Sequence, residues 1–90
     1  MHFVYVLYSH KDGRLYIGYT ADVVRRFADH QNGSVRSTFN RRPLKLIYYE
    51  AYLTQSEAKR RERYLKGGKG RVELKNQLKS TLKDLGYRFL

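Results

Sequence analysis

Between Phe3 and Thr20 the chain reads FVYVLYSHKDGRLYIGYT, two short runs of β-branched and aromatic residues around a polar stretch that holds Asp12-Gly13. An antiparallel hairpin is what such a pattern specifies. The first run, Phe3 to Tyr8, is apolar at both parities, as a strand covered on both faces must be, so it takes the centre of a sheet. The second, Leu15 to Thr20, returns beside it. With Asp12 and Gly13 as the two loop residues, Tyr8 faces Ile17 and Tyr5 faces Thr20, and Tyr5, Tyr16 and Gly18 share one face. A slip of one residue would part them.

Thr20 then offers an N-cap for a helix running to about Gln31, with Asn32-Gly33 as its stop. At roughly 100° per residue, Val23, Val24, Phe27 and Ala28 form the apolar arc. Arg25 and Asp29 point away, and Arg26 and His30 sit one turn apart at the margin of the arc. GSVRSTFNRRP reads as a polar, basic loop, and Leu44 to Tyr52 as a third strand after Pro43. Thr54 and Glu57 make a capping box for a helix reaching Lys66, where GGKG interrupts it. A last helix, about Arg71 to Leu85, carries Leu74, Leu78, Leu82 and Leu85 at core spacing. The expected architecture is α/β (α+β): one domain over residues 1–90, a small three-stranded, mostly antiparallel sheet flanked by helices, in the order β-β-α-β-α-α.

A core this small is shared by every element, because a chain of 90 residues buries only about 60% of its unfolded surface. The charge points outward. A formal net charge of +11, from 19 Lys and Arg against 8 Asp and Glu, predicts attraction to polyanions, nucleic acid first among them. Nine tyrosines and four phenylalanines supply flat surfaces for packing or for stacking on bases. The absence of cysteine excludes disulfides, zinc knuckles and thiol catalysis, and a cytoplasmic location is the default expectation. FVYVLY is too short to span a membrane and lacks a charged leader, so no membrane partner is expected.

Taken in order, FVY (3–5), YIG (16–18), Thr20, Arg26 and His30, then EAKRRERYLK (57–66), resemble the GIY-YIG nuclease family across most of the chain. The likeness is to its small stand-alone members and, more distantly, to the N-terminal incision domain of the bacterial excision-repair endonuclease. It implies the GIY-YIG endonuclease fold, with Tyr5 ending the first triplet and Tyr16 and Gly18 in the second. Arg26 matches the arginine of the first helix, His30 the histidine or tyrosine one turn later, and Glu62 the metal-binding glutamate. Phe3 stands where the family name has glycine, a position that small members vary. The implied cofactor is Mg2+ or Mn2+, and since one glutamate maps, one ion is expected.

The chemistry asked of these residues is consistent with their types. Phosphodiester hydrolysis needs an oriented water, a cation for the developing charge and help for the leaving oxygen. Arg26 suits the phosphate with its planar fork, and His30 suits orientation or proton shuttling because imidazole titrates near neutral pH. A phenol is a poor base at its ordinary pKa of about 10. Arg26 and a metal are expected to lower it. Tyr5 and Tyr16 share the task of activating water, with Tyr5 slightly favoured. Each has an ordinary alternative: cross-strand aromatics for the tyrosines, a snorkelling stem for Arg26, a surface histidine for His30, and helical pairing with Lys59 or Lys66 for Glu62.

Gly18, Arg41, Arg42, Lys66, Lys69 and Arg71 are candidate nucleic-acid contacts, although basic runs are more often solvated faces. GGKGR lacks the spacing of a nucleotide-binding phosphate loop. The expected function is metal-dependent DNA endonuclease activity with little sequence specificity, in repair, recombination or processing. DNA is favoured over RNA, and a partner protein or a homodimer would supply target recognition. The competing expectation is a non-catalytic DNA- or RNA-binding module that keeps the fold.

Overall fold

A computed structural model of the chain describes residues 1–89. Three antiparallel strands, β1 (His2–Ser9), β2 (Leu15–Thr20) and β3 (Leu44–Tyr52), lie in the order β2-β1-β3, so the doubly apolar run is central as its sequence requires. Helix α1 (Val23–Gln31) follows β2, and a 3-10 segment (Arg36–Arg41) precedes β3. After β3 come α2 (Gln55–Lys66), α3 (Gly68–Gln77) and α4 (Lys79–Asp84). Among the described residues no helix is long and apolar enough to cross a membrane.

The sheet separates two cores of unequal size. On one face Val4, Val6, Tyr8, Leu15 and Ile17 pack against Ala58 and Leu65 of α2, Leu74 of α3, and Leu78 and Leu82. Each fully buried leucine contributes about 1.5–3 kcal/mol, so this face supplies most of the apolar stabilisation. On the other face Tyr5, Leu7 and Leu44 meet Val23 and Phe27 of α1 beside Tyr16 and Leu46. That smaller core is built around phenols.

Three local expectations are corrected. The hairpin register places Tyr5 opposite Gly18 and Tyr8 opposite Leu15, two residues from the pairing a two-residue loop would give. The cause is Ser9, whose hydroxyl accepts the N–H groups of Lys11 and Asp12 while the Gly13 N–H bonds to its carbonyl, making a longer loop. Because the shift is even, Tyr5, Tyr16 and Gly18 still share a face. The cap of α1 is Asp22, not Thr20: its carboxylate accepts from the Arg25 N–H at 3.1 Å. The single last helix is two helices broken at Leu78, and GGKG opens α3 as well as closing α2. Gly70 makes that close turn possible, since a Cβ there would overlap the backbone of Tyr64.

The capping box of α2 forms as read, with the Thr54 hydroxyl accepting from the Glu57 N–H and donating to the Glu57 carboxylate at 2.7 Å.

Candidate active site

The first helix is rotated from its expected setting, and the site follows from that rotation. Val24 is 77% exposed and Ala28 also faces solvent, while Val23, Arg26, Phe27 and His30 turn toward the sheet. Burying a valine against Tyr5 and Tyr16 would have left the proton of the Tyr5 hydroxyl without an acceptor. His30 supplies one. Its Nε2 lies 2.8 Å from the Tyr5 hydroxyl and its Nδ1 lies 2.7 Å from Oγ1 of Thr38, and both His30 and Thr38 are fully buried.

Tyr5, Tyr16 and His30 form an aromatic triangle, with ring centroids 6.3 Å apart between the tyrosines, 5.6 Å from Tyr5 to His30 and 5.1 Å from Tyr16 to His30. Gly18 is what admits the Tyr5 ring: a Cβ at that position would overlap the phenol. Gly18 is therefore covered by Tyr5 and is not a contact surface for nucleic acid, which corrects its assignment from the sequence. Tyr16 is half-buried, and the Ser37 hydroxyl donates to its oxygen at 3.4 Å.

Electrostatics distinguish these groups. Burial pushes the Tyr5 phenol up to about 12, with the hydrogen bond from Arg26 opposing it and the charge of Glu62 adding to it. The expected lowering by Arg26 is thus outweighed by desolvation. Burial and the Arg26 charge together push His30 down to about 4. His30 is therefore a neutral imidazole at neutral pH. Hydrogen bonding to Tyr5 raises the Arg26 guanidinium further, and among the described residues Arg26 has no carboxylate within salt-bridge distance.

Arg26 offers only donors, so in its bond to Tyr5 the phenol oxygen accepts, which leaves the phenol proton to be donated to Nε2 of His30. The imidazole proton then sits on Nδ1 and is donated to Thr38. Thr38 was invisible in the sequence, one hydroxyl among many in a polar loop without periodicity.

Glu62 approaches from α2, which packs on the opposite face and along the edge strand β2. Its side chain is 14% exposed, with Lys66 at 3.0 Å and Lys59 at 4.0 Å. Lys59 also caps the Tyr19 ring at 4.4 Å. The helical pairing weighed against metal ligation is therefore present, yet the carboxylate remains near enough to Tyr5 to influence its ionisation. Among the described residues no three His, Cys, Asp or Glu side chains gather into a cage. A single carboxylate is the donor set that suits Mg2+ shared with water and substrate phosphate.

The candidate contacts fare unequally. Arg42 folds back over the Phe39 ring at 4.4 Å and donates to the Phe39 carbonyl at 3.0 Å. Arg41 is held by Asp12 at 2.6 Å and Lys66 by Glu62, whereas Lys69 is exposed.

Residues 1–77 match the GIY-YIG catalytic domain. The chain is 47% identical over 66 residues to a UPF0213 protein of Staphylococcus epidermidis, covering 72% of this chain and 79% of that one. It is 47% identical over 62 residues to a UPF0213 protein of Listeria monocytogenes, covering 68% of each. The solution NMR structure of the UPF0213 protein BH0048 from Bacillus halodurans superposes with a TM-score of 0.52 at 38% identity, covering 87% of this chain and 84% of that one. Matched over residues 1–77 and sharing its fold with a solved relative, this chain belongs to the GIY-YIG family of nucleases.

Proposed function

We propose that the chain is a divalent-metal-dependent endonuclease that hydrolyses phosphodiester bonds in DNA, with recognition resting on backbone charge more than on base edges. The observation that carries this is Arg26: a guanidinium with no acid partner among the described residues, set beside the buried phenol of Tyr5. Uncompensated charge at such a place is stabilised by an arriving phosphate.

In this reading Arg26 grips the scissile phosphate and neutralises charge that grows in the transition state. Tyr5 is the anchor: its hydroxyl donates a hydrogen bond to His30, and its oxygen accepts from the guanidinium. Tyr16, the more accessible phenol, orients the attacking water. His30 and Thr38 hold Tyr5 in place. Glu62 would hold Mg2+ or Mn2+, which when bound supplies Lewis-acid stabilisation of the phosphate. Repair, recombination or processing of branched or nicked DNA in the cytoplasm is the proposed setting, with a partner or second copy supplying target choice.

The clamp of Lys59 and Lys66 on Glu62 favours a second reading, a DNA- or RNA-binding module that does not cleave, because the carboxylate is satisfied without metal. Glu62→Gln separates the two. Under the nuclease reading, nicking of supercoiled plasmid with Mg2+ falls about 100-fold or more while binding at low salt is kept. Equal residual nicking by the parent and the variant would leave the binding module as the better description.

A further inference from the structure

Away from the tyrosine site, the hairpin loop, the 3-10 segment, α3 and the C-terminal stretch enclose a concavity of about 510 Å³ lined by Asp12, Arg14, Leu15, Arg41, Arg71, Lys75 and Tyr87. None of the five proposed catalytic residues lines it. Four cations from three separate parts of the chain meet here with one carboxylate, and that carboxylate is already taken by Arg41, at 2.6 Å through Nε and 3.4 Å through Nη2. Arg14, Arg71 and Lys75 remain in surplus.

Folding alone gives little reason to gather them, since like charges brought together cost free energy unless an anion joins them. Two of the three are held in place: Arg71 donates to the Leu65 carbonyl at 3.4 Å, and Lys75 lies 5.4 Å from the centre of the Tyr87 ring. Arg41 also donates to the Leu15 carbonyl at 3.4 Å, so the concavity begins on the strand residue next to Tyr16.

We propose that this concavity is a second phosphate-binding site, taking the phosphodiester backbone of the nucleic acid arm that flanks the cleavage point. It rests on the proposal that nucleic acid is the substrate, but not on cleavage. A sugar–phosphate backbone fits better than a free anion because the cations line an open trough with a flat ring at one wall. Two separated grips on the backbone would hold a bent or branched arm better than a grip at the scissile phosphate alone. The sequence pointed to Arg41 and Arg71; the fold adds Arg14 and Lys75 and reassigns Arg41 to neutralising Asp12.

The test is the salt dependence of binding, measured by fluorescence anisotropy with a labelled branched duplex and EDTA so that cleavage plays no part. Each lost phosphate contact lowers the slope of log affinity against log salt by about 0.9, so Arg14→Gln/Arg71→Gln/Lys75→Gln is expected to lower it by about 2.7. Should the triple variant not fold, Arg14→Gln/Lys75→Gln spares the Arg71 contact and is expected to lower the slope by about 1.8. An unchanged slope overturns the site, and so does binding to anionic phospholipid vesicles that the variant loses while the duplex slope stays put. If the parent never cleaves and the slope still drops, the nuclease reading fails and this site stands.

Discussion

Two arginines sit in polar clusters on opposite faces of the same sheet, and their surroundings differ in one respect. Arg61 meets Glu50 through Nε at 2.9 Å and Nη2 at 3.3 Å, and the same carboxylate accepts from the Tyr48 hydroxyl at 2.7 Å and the Tyr52 hydroxyl at 2.8 Å. Burial pushes the Glu50 carboxyl up, but the hydrogen bonds from Arg61 and the two phenols outweigh it and hold it below the ordinary range. Charge, donors and acceptors close on themselves. Arg26 has the matching phenols and no matching acid. A closed network fixes a core, whereas an open one is complete only when something anionic arrives.

Arg26→Ala and Arg61→Ala turn that difference into the largest expected effect. Removing Arg26 should lower cleavage by about 10²–10³-fold and leave thermal stability near that of the parent. Removing Arg61 strips Glu50 of its charged partner and should cost about 2 kcal/mol of stability in urea denaturation, with cleavage at saturating substrate little changed. If the two variants behave alike in both assays, open and closed networks have no functional meaning here.

Acid should loosen the Arg26 side first. His30 has an ordinary pKa of 6.5, lowered to about 4 in the fold, where it faces Arg26, Asp29, Tyr5, Tyr16 and Thr38. The unfolded chain therefore binds more protons between those values. Its stabilising contribution is present above 6.5 and is lost as pH falls toward 4, amounting to about 3 kcal/mol. Glu50 has a lowered pKa as well, and its contribution is lost only below the ordinary carboxylate range. Urea midpoints between pH 7 and 4 should fall for the parent and flatten for His30→Gln, leaving the deeper acid loss in both. A variant that keeps the parent's slope would show His30 to be hydrated.

What was legible in the sequence was whatever local chemistry decides. The doubly apolar run of Phe3 to Tyr8 and the Thr54 box depend on local pattern alone, and the fold honours them. The hairpin was misread by two residues because the Ser9 hydroxyl competes for loop N–H groups, a side-chain bond that a turn signature does not encode. The arc of α1 was misread because hydrophobicity ranks Val24 above His30, and a sheet face made of phenols reverses that order. Residue types pointed to Tyr5, Tyr16 and His30, whose rings the fold gathers, but not to Thr38 behind them. Their protonation depended on burial, which only the packed structure supplies, so Tyr5 and His30 stay neutral where the sequence suggested ready titration.

The smallest change that probes the open side is one methyl group. At Gly18 an added Cβ would lie 2.9 Å from Cε1 of Tyr5 and closer still to Cζ and the hydroxyl, nearer than real carbons approach. The phenol is fixed by His30 behind it and cannot yield without losing that bond. Gly18→Ala should therefore cost about 1–3 kcal/mol through overpacking and lower cleavage by displacing Tyr5. Gly68→Ala is the control, since its Cβ meets nothing within 4 Å at the start of α3, and it should be neutral or better by up to about 1 kcal/mol. Parent-like melting and cleavage for Gly18→Ala would mean that the phenol moves freely over β2. A site with a mobile anchor could not hold Arg26 in wait for a phosphate.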